Sequence, residues 1–305
     1  MLDPRRLSLL RDIARSGSIA GAARLAGCTA SAASQQLSAL EQELDVALLE
    51  RSARSVRLTE AGRILAEHAN RVLAELDAAQ EAVRAVSGLH GGRVRVAAFA
   101  TAASTLVLPA LMAFRQRHGE VSLTFREVEP EEAIPAVAAG EIDLAVTHQY
   151  ERLPRPDLRG LQQLHLHRDR LLLAVPPHLH RAGRTTARLR DYAGAVWLST
   201  VPSEGFQAVT ELLCRSEGFE PEIAFRSDHY EMLLDMVAAD FGVALVPGLA
   251  AVPRAGVTYL EIVEPAGVAR DIHLTVRTAD SSTATRALTQ LFLQRRTVGR
   301  PGHAP

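Results

Sequence analysis

The chain has 305 residues, 47% of them hydrophobic, and a formal net charge of −1. That is enough apolar material for two or three domains with real cores, and too little positive charge for nucleic-acid binding over the whole surface. There is no lysine, so a polyanion would have to be held by local arginines, and the two cysteines, Cys28 and Cys214, are too few and too far apart for a disulfide scaffold.

The first eighteen residues, MLDPRRLSLLRDIARSGS, lack a long apolar core and a small-residue cleavage site, and no apolar run approaches membrane-spanning length. The expected compartment is the cytoplasm, with both cysteines reduced and acting as small apolar residues, and no membrane partner is expected. From Gly17 to Gly62 the pattern predicts a helix, a tight turn, a longer helix and a short basic hairpin. Ser18 suits a helix cap, and Ile19, Ala22, Ala23 and Ala26 recur at helical spacing. Gly27 stands where the chain must turn, a place for the left-handed conformation. Thr29 caps the second helix, whose apolar stripe is Ala33, Leu37, Leu40 and Leu44. Ser31, Ser34, Gln35 and Ser38 fall opposite, where hydroxyls and an amide suit base edges and phosphates. Residues Leu48 to Arg51 and Val56 to Leu58 read as two short strands, clustering Arg51, Arg54 and Arg57 on a wing whose guanidinium forks match phosphate or guanine. An ordinary helical hairpin with a solvated polar face fits these residues too.

Thr59 begins an alanine-rich helix that runs to about Val86. Leu65, Ala69, Val72, Leu76, Ala79, Val83 and Val86 repeat with the spacing of a two-helix seam, ended by Ser87-Gly88 and Gly91-Gly92. Self-pairing through this helix would present two recognition helices to two half-sites.

From Arg93 strands alternate with helices in two successive units, a pattern for parallel sheets covered on both faces. The first unit holds Val94 to Ala98, Val121 to Phe125 and Ile142 to Val146. The second starts near Leu171 and holds Val196 to Ser199, Ile223 to Arg226 and Val243 to Pro247. The strand from Ile272 to Arg277 and the final helix return to the first unit. Two lobes joined by two crossings leave a cleft, a usual seat for a small ligand. Candidate contacts are Phe99, Thr101, Ser104 and Thr105; Thr147 and His148; Ser199, Thr200 and Ser203; and Asp228, His229 and Tyr230. Hydroxyls beside helix starts predict an anion such as a carboxylate, although plain capping places the same residues there. His165 with His167, and His178 with His180, have strand-ligand spacing, but no further ligand completes a metal site. The run Arg184 to Arg188 reads as a solvated loop, and Asp143 as structural.

These residues resemble the LysR-type transcriptional regulators. The head carries the resemblance through Gly17-Ser18-Ile19, Ala22-Ala23, Thr29, Ser34-Gln35-Gln36-Leu37, Leu40-Glu41, Leu48-Leu49-Glu50-Arg51 and Val56 to Gly62. Downstream it rests on Gly92 to Val96, Leu108-Pro109, Gly140 to Leu144, Gly218 to Pro221 and Gly242 to Pro247. Ala30, Cys28 and Asp45 depart from the usual pattern, so no operator sequence carries over. The resemblance implies a winged helix-turn-helix domain (1–58), a dimerising linker helix (59–89) and a two-lobed α/β, periplasmic-binding-protein-like effector domain (92–300). Lobe I is expected over 92–164 and 268–300, and lobe II over 165–267. It implies double-stranded DNA, further copies of the chain (dimer or tetramer) and RNA polymerase as partners, a small-molecule effector, no cofactor and no catalysis. A solute-binding protein using the same cleft is the rival from another class; it leaves the first 90 residues without a purpose.

Overall fold

The computed structural model describes residues 2–51, 56–86, 91–151, 153–180, 183–202, 205–280 and 282–296. The head is built from α1 (Pro4–Ser16), α2 (Ile19–Leu25), α3 (Ala30–Leu44) and the strands β1 (Leu49–Arg51) and β2 (Val56–Leu58). Asp3 caps α1 by accepting from the Arg5 N–H, Ser18 caps α2 through the Gly21 N–H, and Thr29 caps α3 through the Ala32 N–H. Gly27 turns the chain at φ 65°. α1, which the motif did not announce, supplies Leu9, Leu10 and Ile13 to a core shared with Ala22, Ala23, Ala33, Leu37 and Leu40. Leu44 sits at the exposed end of its stripe, and Cys28, expected to behave as an apolar residue, is exposed in the turn.

The long helix is α4 (Glu60–Val86). Its start is tied to the wing: the Thr59 hydroxyl donates to the Ala47 carbonyl and accepts from the Gly62 N–H. The first two positions of the expected seam are used within the chain. Leu65 packs against the head core and Ala69 is wholly buried within this chain, whereas Val72, Leu76 and Val83 are 45%, 42% and 67% exposed. Ser87 and Gly88 and the side chain of Val86 lie outside the described residues.

The sensor contains β3 (Gly92–Ala98), α5 (Ala100–Ala102), α6 (Leu108–Arg117), β4 (Val121–Glu127), α7 (Pro130–Ala138), β5 (Leu144–Tyr150) and β6 (Leu161–Val175). It continues through β7 (Thr186–Arg188), β8 (Val196–Ser199), α8 (Phe206–Ser216), β9 (Glu222–Arg226), α9 (Tyr230–Ala238) and β10 (Val243–Pro247). β11 (Thr258–Glu264), β12 (Ala269–Arg277) and α10 (Thr283–Arg296) complete it. Lobe I has strand order β4-β3-β5-β12-β6, with β3, β4 and β5 parallel and β12 antiparallel to both its neighbours. Lobe II has β10, β8 and β9 parallel on one side of β6, and β11 then β7 on the other. β10 is buried along its whole length, as its unbroken apolar run requires of a covered strand. α10 returns to lobe I, placing Leu288, Leu291 and Phe292 in that core.

β6 belongs to both lobes. Residues Leu161 to Arg170 pair with β12, and Leu171 to Val175 pair with β10 and β11. The crossing therefore falls at Arg170 and Leu171, six residues beyond the expected edge of lobe I at 164, because one uninterrupted strand serves two sheets. The run from Arg184 is a second correction. Thr186–Arg188 is an edge strand parallel to β11, with Ala187 buried between exposed neighbours, so strand alternation was present but too short to be read. Asp143 is structural: the Arg95 backbone N–H, Nε and Nη2 donate to it at 2.8, 3.0 and 2.7 Å, and Arg277 lies at 3.4 Å. Among the described residues no helix is long and apolar enough to cross a membrane.

Candidate nucleic-acid interface and ligand cleft

The N-terminal half of α3 turns its polar face outward because its opposite face is anchored by Ala33, Leu37 and Leu40, each fully buried. Thr29, Ser31 and Gln35 are exposed, and Ser34 and Ser38 are half-buried. Gln36, one residue round the helix, instead accepts from Arg6 Nε at 3.1 Å, so α1 holds α3 from behind. β1 and β2 pair antiparallel with Glu50 opposite Arg57, which is exposed. Glu41 of α3 accepts from the Leu48 and Leu49 N–H groups at 2.9 and 3.1 Å and so fixes the base of the wing against the recognition helix. The side chain of Arg51 and the whole of Arg54 lie outside the described residues. The head thus pairs the outward polar face of α3 with a wing, fixed to it through Glu41, that carries the exposed Arg57, the elements that let a helix enter a major groove while a wing lies along the backbone.

The second site is a cavity of ≈ 150 Å³ between the lobes. Of the expected contacts, Phe99, Thr101, His148, Asp228 and His229, with Tyr230, line it. Others do not. Thr147 is fully buried in the lobe I sheet, its hydroxyl 2.8 Å from that of Thr275, because alternation along β5 turns it away from the face that carries His148. Ser104 and Thr105 lie one turn beyond Thr101 and are exposed, with the Thr105 hydroxyl donating back to the Thr101 carbonyl. Ser199 and Thr200 are each 1% exposed at the end of β8, their hydroxyls unpartnered, outside the cavity wall. Ser203 lies outside the described residues.

The wall also contains Glu127, Glu129, Tyr150, Phe206 and Arg270, which the sequence reading did not select. Tyr150 was within reach, being two residues after His148 on the same strand face. Arg270 was not, because its setting is made by register: in β12 it stands opposite Tyr150 of β5 on one side and Asp169 of β6 on the other. Arg270 and Asp169 are each 2% exposed and 2.9 Å apart. Arg270 Nη2 also donates to the Thr101 hydroxyl at 2.7 Å, and the guanidinium lies 4.8 Å from the Phe99 ring centre. Asp169 accepts from the Leu249 N–H as well, so this row of three strands joins the lobes where they meet.

His148 sits edge-on to Phe99, with ring centres 4.6 Å apart, and its Nε2 is 3.3 Å from Glu129. Burial, aided by Arg270, pushes its pKa below the ordinary histidine value, Glu129 opposing only in part. Burial also pushes the Tyr150 phenol up to about 12, so it stays protonated and can donate. The other histidines are held separately: His178 Nδ1 lies 2.9 Å from Asp240, and His180 Nε2 lies 2.8 Å from the Arg184 carbonyl. Burial, with Glu220 and Glu211 nearby, pushes the Cys214 thiol up to about 12, far from a reactive thiolate. A larger hollow of ≈ 1320 Å³ lies between α4 and α7, but it is open and partly walled by ion-paired side chains such as Arg126 with Glu132.

Comparison with known proteins places both sites in context. Residues 4–63 match the family model described as "Bacterial regulatory helix-turn-helix protein, lysR family", and residues 87–297 match "LysR substrate binding domain". The "HTH-type transcriptional regulator TfdS" of Cupriavidus pinatubonensis is 32% identical over 267 residues, which are 85% of this chain and 88% of that protein. The "Probable HTH-type transcriptional regulator LrrA" of Synechococcus elongatus is 30% identical over 250 residues, 81% of this chain and 82% of that one. Among solved structures, full-length OxyR from Pseudomonas aeruginosa superposes with a TM-score of 0.75 at 20% identity, covering 100% of this chain and 99% of that chain. CbnR, described as a LysR family transcriptional regulator, superposes with a TM-score of 0.63 at 23% identity, covering 97% and 99%. At such identities the structural likeness speaks for the fold.

Proposed function

Because the chain belongs to the LysR family of transcriptional regulators, we propose that it reads operator DNA as a homo-oligomer with α3 and the β1–β2 wing, and that a small effector bound between its lobes sets how it does so. The observation that carries this reading is the exposed polar face of α3 beside the wing, joined by one helix to a two-lobed sensor whose crossing strands border a cavity. Paired heads would meet half-sites about one helical turn apart, which doubles the phosphate contacts that a nearly neutral chain otherwise lacks.

The route from cleft to head runs along the strands of lobe I, from Phe99 and His148 towards the ends of β3 and β5 to Arg93 and Glu141 at their starts. β6 and β12 are the strands about which the lobes would close, and α4 touches lobe I through Asn70 with Glu141 at 3.4 Å and Asp77 with Arg93 at 3.5 Å. A ligand that binds one lobe arrangement more tightly shifts the population towards it and so respaces the heads. In this reading the protein works in the cytoplasm, catalyses nothing, and acts on transcription through RNA polymerase.

Retention of genomic fragments, including the protein's own upstream region, by the purified chain at moderate salt tests the reading; retention of no fragment sinks it. Replacing Ser34 or Gln35 by alanine is expected to reduce preference for the retained operator by about 1–3 kcal/mol while sparing non-specific binding. Equal loss on all sequences would mean that these side chains touch phosphates only.

A further inference from the structure

We propose that the interlobe cavity takes a compact ligand bearing an ammonium group, enclosed by aromatic rings and faced by carboxylates; this rests on the sensing role proposed above. Five rings that line the cavity follow one another in contact. His148 to Tyr150 is 5.1 Å between centres, Tyr150 to Phe206 is 5.7 Å and Phe206 to Tyr230 is 5.8 Å, with Phe99 closing on His148. His148 and Tyr150 belong to lobe I, and Phe206 and Tyr230 to lobe II. Ring faces carry negative charge density and attract a desolvated cation, most strongly where several surround it. A cation in this position would draw the two lobes together.

The charges agree. Glu127, Glu129 and Asp228 line the cavity against one guanidinium, and Asp169 already neutralises that guanidinium. The anion expected from hydroxyls at helix starts finds little here. The Thr101 hydroxyl is engaged by Arg270, Ser104 and Thr105 face solvent, and Glu129 and Asp228 already stand just before α7 and α9, at the positive ends of those helices. His148 lines the cavity with its side chain 10% exposed, and its buried Nδ1 has no hydrogen-bond partner among the described residues. The volume is well below the roughly 300–1,000 Å³ of sites for drug-sized molecules, which selects a ligand of few atoms.

Calorimetric titration of the full chain with tetramethylammonium, choline, glycine betaine and benzoate tests the assignment. The expected result is saturable binding of at least one ammonium probe and weaker binding of benzoate. Glu129→Gln and Tyr230→Leu should each weaken the ammonium probe about tenfold or more. Asp228→Asn, at an exposed position, should weaken it in the same direction and guards against loss of fold in the other two. Betaine and choline share the trimethylammonium group, so saturable binding of either upholds the proposal. Benzoate binding in preference to every ammonium probe overturns it. So does the absence of saturable ammonium binding at millimolar concentration, or affinity indifferent to all three substitutions. Operator retention measured on the same preparations separates the two readings: retention kept with a failed titration removes only the ligand class, whereas lost retention removes the regulator.

Discussion

At the scale of single residues, the decisive groups are charged side chains taken out of water. Arg270 and Asp169 form an ion pair that is almost wholly buried, and removing one partner leaves the other desolvated and uncompensated. Arg270→Ala is therefore expected to lower the unfolding free energy by about 3–5 kcal/mol, read by urea denaturation. The double variant Arg270→Met with Asp169→Leu should recover most of that loss, since well-packed apolar groups carry no desolvation penalty. A double variant as unstable as Arg270→Ala would mean that the pair supports the crossing by shape and not by charge. Asp143 makes a pH-dependent contribution. Burial would raise its pKa, but the Arg95 hydrogen bonds and charge, with Arg277, outweigh burial and hold the carboxyl below the usual carboxylate range. A carboxyl depressed on folding stabilises fully above its unfolded pKa of about 3.9 and loses that stabilisation as pH falls through the folded value. Asp143→Asn should flatten the acid limb of the stability profile below about pH 4, and an unchanged limb would assign acid unfolding to other groups.

At the scale of elements, the wing depends on a glycine. Gly62 lies in the first turn of α4, and a Cβ added there would press into the Leu48 carbonyl oxygen and the Leu58 side chain. The helix and the wing strand meet backbone to backbone, which also brings Thr59 within reach of Ala47. Gly62→Ala is expected to destabilise the head by about 1–3 kcal/mol through overpacking, and to weaken operator binding by displacing the wing from α3. Footprinting should show loss of protection at the wing contacts before loss at the recognition-helix contacts. Simultaneous loss would mean that the head moves as a unit.

At the scale of the whole molecule, the linker helix divides its surface between cis and trans duties. Its first turns complete the head core, its middle touches lobe I, and Val72 and Leu76 are left in water. Val72→Asp with Leu76→Asp should convert the assembly to a species of one-chain mass in light scattering. Each head should keep its fold, and operator affinity should fall steeply because the paired half-site contacts are lost. An assembly of unchanged mass would move the pairing surface to the sensor.

The sequence by itself determined the local devices. Caps at Ser18 and Thr29, the turn at Gly27, the helical stripe of Ala33, Leu37 and Leu40, and the strand and helix alternation after Arg93 are set by neighbours a few residues away, so their physics is readable along the chain. What only the tertiary structure decided were the encounters between distant segments. The continuation of β6 through both lobes, the placement of Arg270 between Tyr150 and Asp169, the burial of Ala69 in cis, and the turning of Thr147 into the sheet each depend on register or packing between elements far apart in sequence. Of the cleft, the reading found residues at strand ends and helix starts because those positions have a local signature. It missed Glu127, Glu129, Phe206 and Arg270, because a glutamate, phenylalanine or arginine carries no mark in sequence of what stands opposite it in space.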